Sequence, residues 1–249
     1  MTIKLLRAVS FFLALSLGLA ACEARASFVA LEDRARAHIG EPYVASPLTQ
    51  DAPHGFDCTT YVETVLSEGY ADVYAALNLI RYRDGEIGFF TRNHFMENMW
   101  IPNALRHGFI EEIVLADVDK SSIDIDLAEW YLANPETKDK NTAYIGQARK
   151  QERFTAHVSY LPVSRINNIS PGRLPAQAVV FFLRRYPAPR YSWLRNDNAV
   201  MITHMGLLFG GARLYHASSA RRAVAVEDFL AYLRTNRGVY GVAFYRVTR

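Results

Sequence analysis

Four segments near the C-terminal end constrain the fold most. Ala178 to Leu183, Ile202 to Phe209, Arg213 to Ala217 and Val239 to Val247 are short, apolar and rich in β-branched or aromatic residues. That is the pattern of buried strands. Gly210-Gly211, between the second and third, is a hairpin signal. Val226 to Leu233 reads as a helix between the last two. The first half has helical spacing instead, over Phe28 to Ile39, Ala71 to Arg81, Asn93 to His107, Leu127 to Ala133 and Thr142 to Phe154. Arg83-Asp84-Gly85 divides two of these. Helices followed by a mainly antiparallel sheet predict an α+β domain. The chain shows no internal repeat, low-complexity tract or linker. Its 249 residues, half of them hydrophobic and 21% charged, suffice for one sizeable core.

Residues 1–26 read as a leader. Lys4 and Arg7 form a basic start, and Ala8 to Ala21 is an apolar run of 14 residues, too short to span a bilayer comfortably. Two processing sites overlap at its end. Leu19-Ala20-Ala21-Cys22 is similar to a bacterial lipobox, which would leave Cys22 lipidated. Ala24-Arg25-Ala26 is an A-x-A site. The lipobox is favoured because the cysteine falls where that chemistry needs it. Either route exports the protein to the periplasm, and a lipid on Cys22 would hold it at a membrane surface. The net charge of +3 drops to about +1 without the leader, so charge points to no nucleic-acid partner. Arg184, Arg185, Arg190 and Arg195 lie among prolines and aromatics. They read first as a solvated loop and second as a contact for an anionic substrate.

Without Cys22, Cys58 has no disulfide partner. A lone thiol in an oxidising compartment is either buried or used. Asp57 is a good N-cap, Val62, Val65 and Leu66 give helical spacing, and Gly69 is a stop. Cys58 therefore falls at the first helical position, where unpaired N–H groups and the helix dipole favour a thiolate.

A cysteine nucleophile needs a base and a group to orient that base. His204 and His216 flank the Gly210-Gly211 turn. They oppose each other directly only if the loop has an odd number of residues centred on Gly210. A two-residue turn would put them on opposite faces. His54 lies four residues before Cys58, but the chain has no H-E-x-x-H and no Cys-rich pattern, so no metal or cofactor is expected. His38, His107 and His157 read as structural.

Gly40-Glu41-Pro42-Tyr43-Val44, Gly55-Phe56-Asp57-Cys58, His204-Met205-Gly206 and His216-Ala217-Ser218 resemble the NlpC-type cell-wall cysteine hydrolases. FDCTTYVETVL and TRNHFMENMWIPNALRHGFI are similar to one subfamily, the N-acetylmuramoyl-L-alanine amidase-like proteins (domain of unknown function 1460). The resemblance spans residues 38–247. It departs from the family where Tyr61 replaces a common Phe.

The resemblance implies one papain-like domain over residues 27–249, with a cysteine-bearing helix packed on an antiparallel sheet that carries the histidines. It makes Cys58 the nucleophile, His204 the base and His216 the residue that orients His204. Tyr43 would line the site, with the Cys58 N–H near the oxyanion. Asp57, Thr59, Arg92, Asn93, His94 and Trp100 are candidate substrate contacts. For Asn93, Phe95 and Trp100 the competing reading is capping and core packing. The expected partner is peptidoglycan or a muropeptide, bound by a monomer and cut between N-acetylmuramic acid and L-Ala. Two alternatives remain: an endopeptidase acting between D-Glu and the diamino acid, and a non-catalytic wall-binding lipoprotein.

Overall fold

The computed structural model describes residues 31–45, 55–134, 141–166, 171–187 and 191–248. Its centre is an eight-stranded antiparallel sheet. The strands are β1 (Ile110–Glu112), β2 (Asp119–Asp126), β3 (Arg153–Pro162), β4 (Gln177–Tyr186), β5 (Ala199–Phe209), β6 (Arg213–Ser218), β7 (Ala223–Asp228) and β8 (Gly241–Val247). Their order is β2-β3-β8-β4-β5-β6-β7, with β1 also paired to β8. The helices are α1 (residues 31–37), α2 (Cys58–Ser67), α3 (Val73–Arg81), α4 (Ile101–Arg106), α5 (Leu127–Ala133), α6 (Thr142–Ala148), α7 (Val163–Ile166) and α8 (Phe229–Thr235).

The continuous apolar run of β4 follows from cover on both faces of the sheet. Val179, Phe181 and Leu183 pack with α2 residues such as Tyr61 and Val65 in the larger core. Ala178, Val180 and Phe182 join Phe229 and Leu233 of α8 in the smaller one. The α+β class expected from the sequence is therefore present.

Several boundaries differ from the expectation. The helix expected over Thr142 to Phe154 ends at Ala148, and β3 begins at Arg153. Ala156, Val158 and Tyr160 bury alternate positions there, and that period of two belongs to a strand. The helix expected from Val226 starts only at Phe229, because Asp228 caps it by accepting from the Ala231 N–H. Ala223–Asp228 is a strand instead. The helix expected from Asn93 begins after Phe95, as a π-helical turn (Met96–Trp100) leading into α4.

The expected processing sites at Cys22 and Ala24 to Ala26 lie outside the described residues, as do His54 and Arg190. No helix among the described residues is long and apolar enough to cross a membrane.

Candidate active site

Cys58 is the first residue of α2. The Asp57 carboxylate accepts from the Thr60 N–H at 2.7 Å, and Thr60 Oγ1 accepts from the Asp57 N–H at 3.0 Å. This capping box fixes the helix start. The Asp57 carboxylate is thus engaged with Thr60, although the sequence reading offered it as a substrate contact. Tyr43 is delivered by backbone pairing. Its N–H donates to Arg222 O, and the Phe56 N–H donates to Pro42 O. Gly55 makes this close approach feasible, since a Cβ there would fall 2.2 Å from Pro42 O. Tyr43 and Cys58 then line a cleft of about 660 Å³ together with His204, His216, Glu227 and Tyr232.

The two histidines share a face but do not oppose each other. The hairpin loop has three residues, yet it is centred on Gly211, with Phe209 paired to Arg213 and Leu207 to Tyr215. Direct opposition through a turn centred on Gly210 is therefore not what forms; the register is shifted by two, which preserves the face. The rings meet diagonally, with centroids 5.0 Å apart and His204 Nε2 2.7 Å from His216 Nδ1. Gly206 gives His216 its room, because a Cβ on it would come within 3.0 Å of the His216 Cβ. The β5–β6 ladder ends at Leu207 and Tyr215 although both strands run on. The strands part where the histidines and Cys58 line the cleft.

Glu227 continues the chain of bonds. His216 Nε2 lies 2.8 Å from its Oε2. Hydrogen bonds from His216 and Arg221 outweigh the rise that burial alone would cause, and lower the Glu227 carboxyl overall. A carboxylate can only accept, so the neutral His216 carries its proton on Nε2 and accepts at Nδ1. His204 must then donate from Nε2, which leaves its Nδ1 unprotonated. The sequence reading missed Glu227 because it missed β7. In that strand Ala225 pairs with His216, which places Glu227 on the same face two residues on. The signal was present in Ala223-Val224-Ala225-Val226 followed by the capping residue Asp228.

Electrostatics act on Cys58 in both directions. Met205, Thr59 and Cys58 itself supply hydrogen bonds that favour the sulfur's charged form. Burial and the Asp57 charge outweigh them and push the thiol up to about 11. Burial, with His216 and Arg184 beside it, holds His204 down at about 3. Both shifts favour a neutral thiol and a neutral imidazole at rest, against the pull of the helix terminus towards a thiolate. Burial, chiefly, also keeps the Tyr43 phenol above its ordinary value, so it remains a donor.

A second groove, of about 240 Å³, shares Cys58, Thr203 and His204 with the cleft and adds Thr59, His94 and Glu97. Thr59 Oγ1 is 3.9 Å from Cys58 Sγ. His94 Nε2 bonds to Phe89 O at 2.8 Å, and burial holds the ring neutral, near 4. Glu97, not singled out in the sequence, is buried and is pushed up to about 7 by that burial. It accepts from the Ile202 N–H at 2.6 Å. Leu183 pairs with Ile202 and Phe182 with His204, so Thr203 is an extra, bulged residue. A bulge re-aims the side chains beyond it, and Glu97 holds the one that sets the direction of His204.

The other candidate contacts lie elsewhere. Trp100 is fully buried and donates from Nε1 to Glu63 Oε1 at 3.1 Å, so it packs the core and does not line the groove. Asn93 is buried and donates to Ile80 O at 3.0 Å. Arg92 bridges to Tyr82 through the backbone. Among the described residues no group of three or more His, Cys, Asp or Glu is arranged to hold a metal ion.

A family model described as AmiA-like, N-acetylmuramoyl-L-alanine amidase-like, matches residues 33–239. No curated protein matches the chain. A Legionella pneumophila protein of domain-of-unknown-function family 1460 shares its fold at TM-score 0.75 and 19% identity, over 88% of each chain. An N-acetylmuramoyl-L-alanine amidase from Bacteroides uniformis does so at 0.64 and 24%, over 88% of this chain and 99% of that one. A candidate xylanase from Bacteroides fragilis is similar at 0.64 and 22%, over 86% and 100%. Likeness at these identities concerns the fold, which alone does not specify a reaction.

Proposed function

The chain belongs to the AmiA-like, N-acetylmuramoyl-L-alanine amidase-like family, and from that premise we propose that it hydrolyses the amide between N-acetylmuramic acid and L-alanine in peptidoglycan or its muropeptide fragments. Cys58 is the nucleophile, His204 its base and His216 the orienting residue. The observation that carries this reading is the run of bonds from His204 through His216 to Glu227, which leaves Nδ1 as the unprotonated nitrogen of His204, whose ring lines the same cleft as Cys58. The family's papain-like NlpC-type core is the arrangement we assign to α2 and the sheet.

As Cys58 Sγ attacks the amide carbon, its proton passes to His204 Nδ1 and the carbonyl oxygen becomes an oxyanion. The Cys58 N–H and the hydroxyl of Tyr43, which lines the same cleft, are the donors we assign to that oxyanion. His216 and the ionised Glu227 stabilise the imidazolium as it forms. The C–N bond then breaks, His204 returns its proton to the leaving nitrogen, and a thioester remains. Water activated by His204 hydrolyses it, releasing the acid and restoring the thiol. The leader reading extends the proposal to an exported, periplasmic lipoprotein acylated at Cys22.

Digestion of defined N-acetylmuramoyl peptides, read by mass spectrometry, tests the bond. Release of an intact stem peptide beginning at L-Ala is expected. Cleavage between D-Glu and the diamino acid would overturn the amidase and indicate the endopeptidase.

A further inference from the structure

The large cleft holds a charge that the proposed chemistry does not use. Two guanidinium groups line it, those of Arg184 and Arg221. Arg221 is committed to Glu227, at 3.3 Å through Nε and 3.0 Å through Nη2. Arg184, near the end of β4, has only a neutral side-chain partner among the described residues, Asn236 Oδ1 at 3.3 Å. Its guanidinium lies over Gly238, where an added Cβ would fall 2.9 Å from Cζ. Neutral contacts thus hold the group beside the reacting centre. Its field reaches His204, where it disfavours the imidazolium that the reaction must form. An anion placed on Arg184 would remove that opposition.

The second groove differs. It lies on the Thr59 side of Cys58, has no Lys or Arg in its lining and includes the Glu97 carboxyl. A bound carboxylate would gain no cation there.

We propose that Arg184 is the docking point for a substrate carboxylate, so that the carboxylate-bearing peptide lies in the large cleft and the acyl portion in the groove beside Thr59, His94 and Glu97. This rests on the amidase reading and adds a polarity to it. Peptides without a free acid are poor ligands, and binding of the right peptide also eases protonation of His204.

Calorimetric titration of the purified Cys58→Ala protein tests the proposal. The probes are N-acetylmuramoyl-L-alanyl-D-glutamate and the same compound with both carboxyls amidated. The diacid should bind about ten- to a hundredfold more tightly, the range of a charge-assisted, bidentate pair. Adding Arg184→Gln should abolish that preference, and Arg184→Lys should restore part of it. The proposal is overturned if the diacid does not bind, if the preference survives Arg184→Gln, or if that change weakens both compounds equally. Hydrolysis by the Cys58 protein separates the two readings. A preference lost with Arg184 but no hydrolysis would sink the amidase and keep the anchor. Hydrolysis without the preference would do the reverse.

Discussion

Glu227 gives the two histidines a direction. Without an acceptor at His216 Nε2, the imidazole could carry its proton on either nitrogen, and His204 would lose its fixed donor role. General acid–base catalysis is worth roughly a hundred- to ten-thousandfold. A residue acting through two intervening rings carries part of that, so Glu227→Ala should lower kcat about tenfold or more with little change in KM. Glu227→Gln, which keeps an acceptor, should restore part of the loss. An unchanged kcat in the alanine variant would remove Glu227 from the account. The neutral resting pair has its own signature. With the Cys58 thiol pushed up to about 11, alkylation by iodoacetamide should accelerate steadily as pH rises through about 8.5, the ordinary thiol value. A plateau between about pH 5 and 7 would reveal a thiolate–imidazolium pair and contradict it. Cys58, His204 and His216 could be singled out because each sits on a strong local signal: an N-cap, a strand and a hairpin. Whether burial would outweigh the helix terminus at Cys58 was not legible, since burial is a property of the packed fold.

At the scale of elements, two devices hold the site. His38, after α1, donates from Nε2 to Glu68 at the end of α2 (3.0 Å) and from Nδ1 to Glu41 (2.7 Å), tying the Tyr43 segment to the cysteine helix. The Glu68 bond is the main cause that raises His38 from 6.5 to about 9. A raised folded value means that the stabilisation is complete below about pH 6.5 and is lost as pH rises through about 9. The loss is about 1–2 kcal/mol once screening of the partly exposed carboxylates is allowed for. Urea midpoints should fall between pH 6.5 and 9.5 in the wild type and much less in His38→Gln; parallel falls would contradict the clamp. Glu97 is the second device. Glu97→Gln keeps an acceptor for the Ile202 N–H and should keep activity. Glu97→Leu leaves that N–H unpaired, at about 1–3 kcal/mol of stability, and should lower kcat by letting the bulge move His204. A fully active leucine variant would show that the bulge holds itself. The Thr203 bulge left no mark in the sequence, because it is made by a contact 105 positions apart along the chain. Strand β2 was missed for a related reason. Asp119–Asp126 buries no position in its first half, so its apolar alternation is weak.

Across the whole molecule, cores on both faces of one sheet fix the site's frame. One buried polar cluster joins three elements: Arg81 Nε donates to Glu63 Oε2 at 2.8 Å, and Trp100 donates to the other oxygen of the same carboxylate. Both charged side chains are nearly inaccessible, at 3% and 2% exposure, so each depends on the other. This cluster places α2 on the core while its first residue reaches the cleft. The α+β class could be read from the strand-rich second half, whereas the strand order could not, since β8 pairs with β1, β3 and β4 through contacts that no local pattern encodes. The central claim is that this frame serves a cysteine nucleophile. The rate of stem-peptide release from N-acetylmuramoyl-L-alanyl peptides, compared between wild type and Cys58→Ala, tests it most directly. The account predicts a loss of at least about a thousandfold, to near background, in a variant that remains folded. A Cys58→Ala protein that still releases the peptide at a rate close to wild type would contradict it.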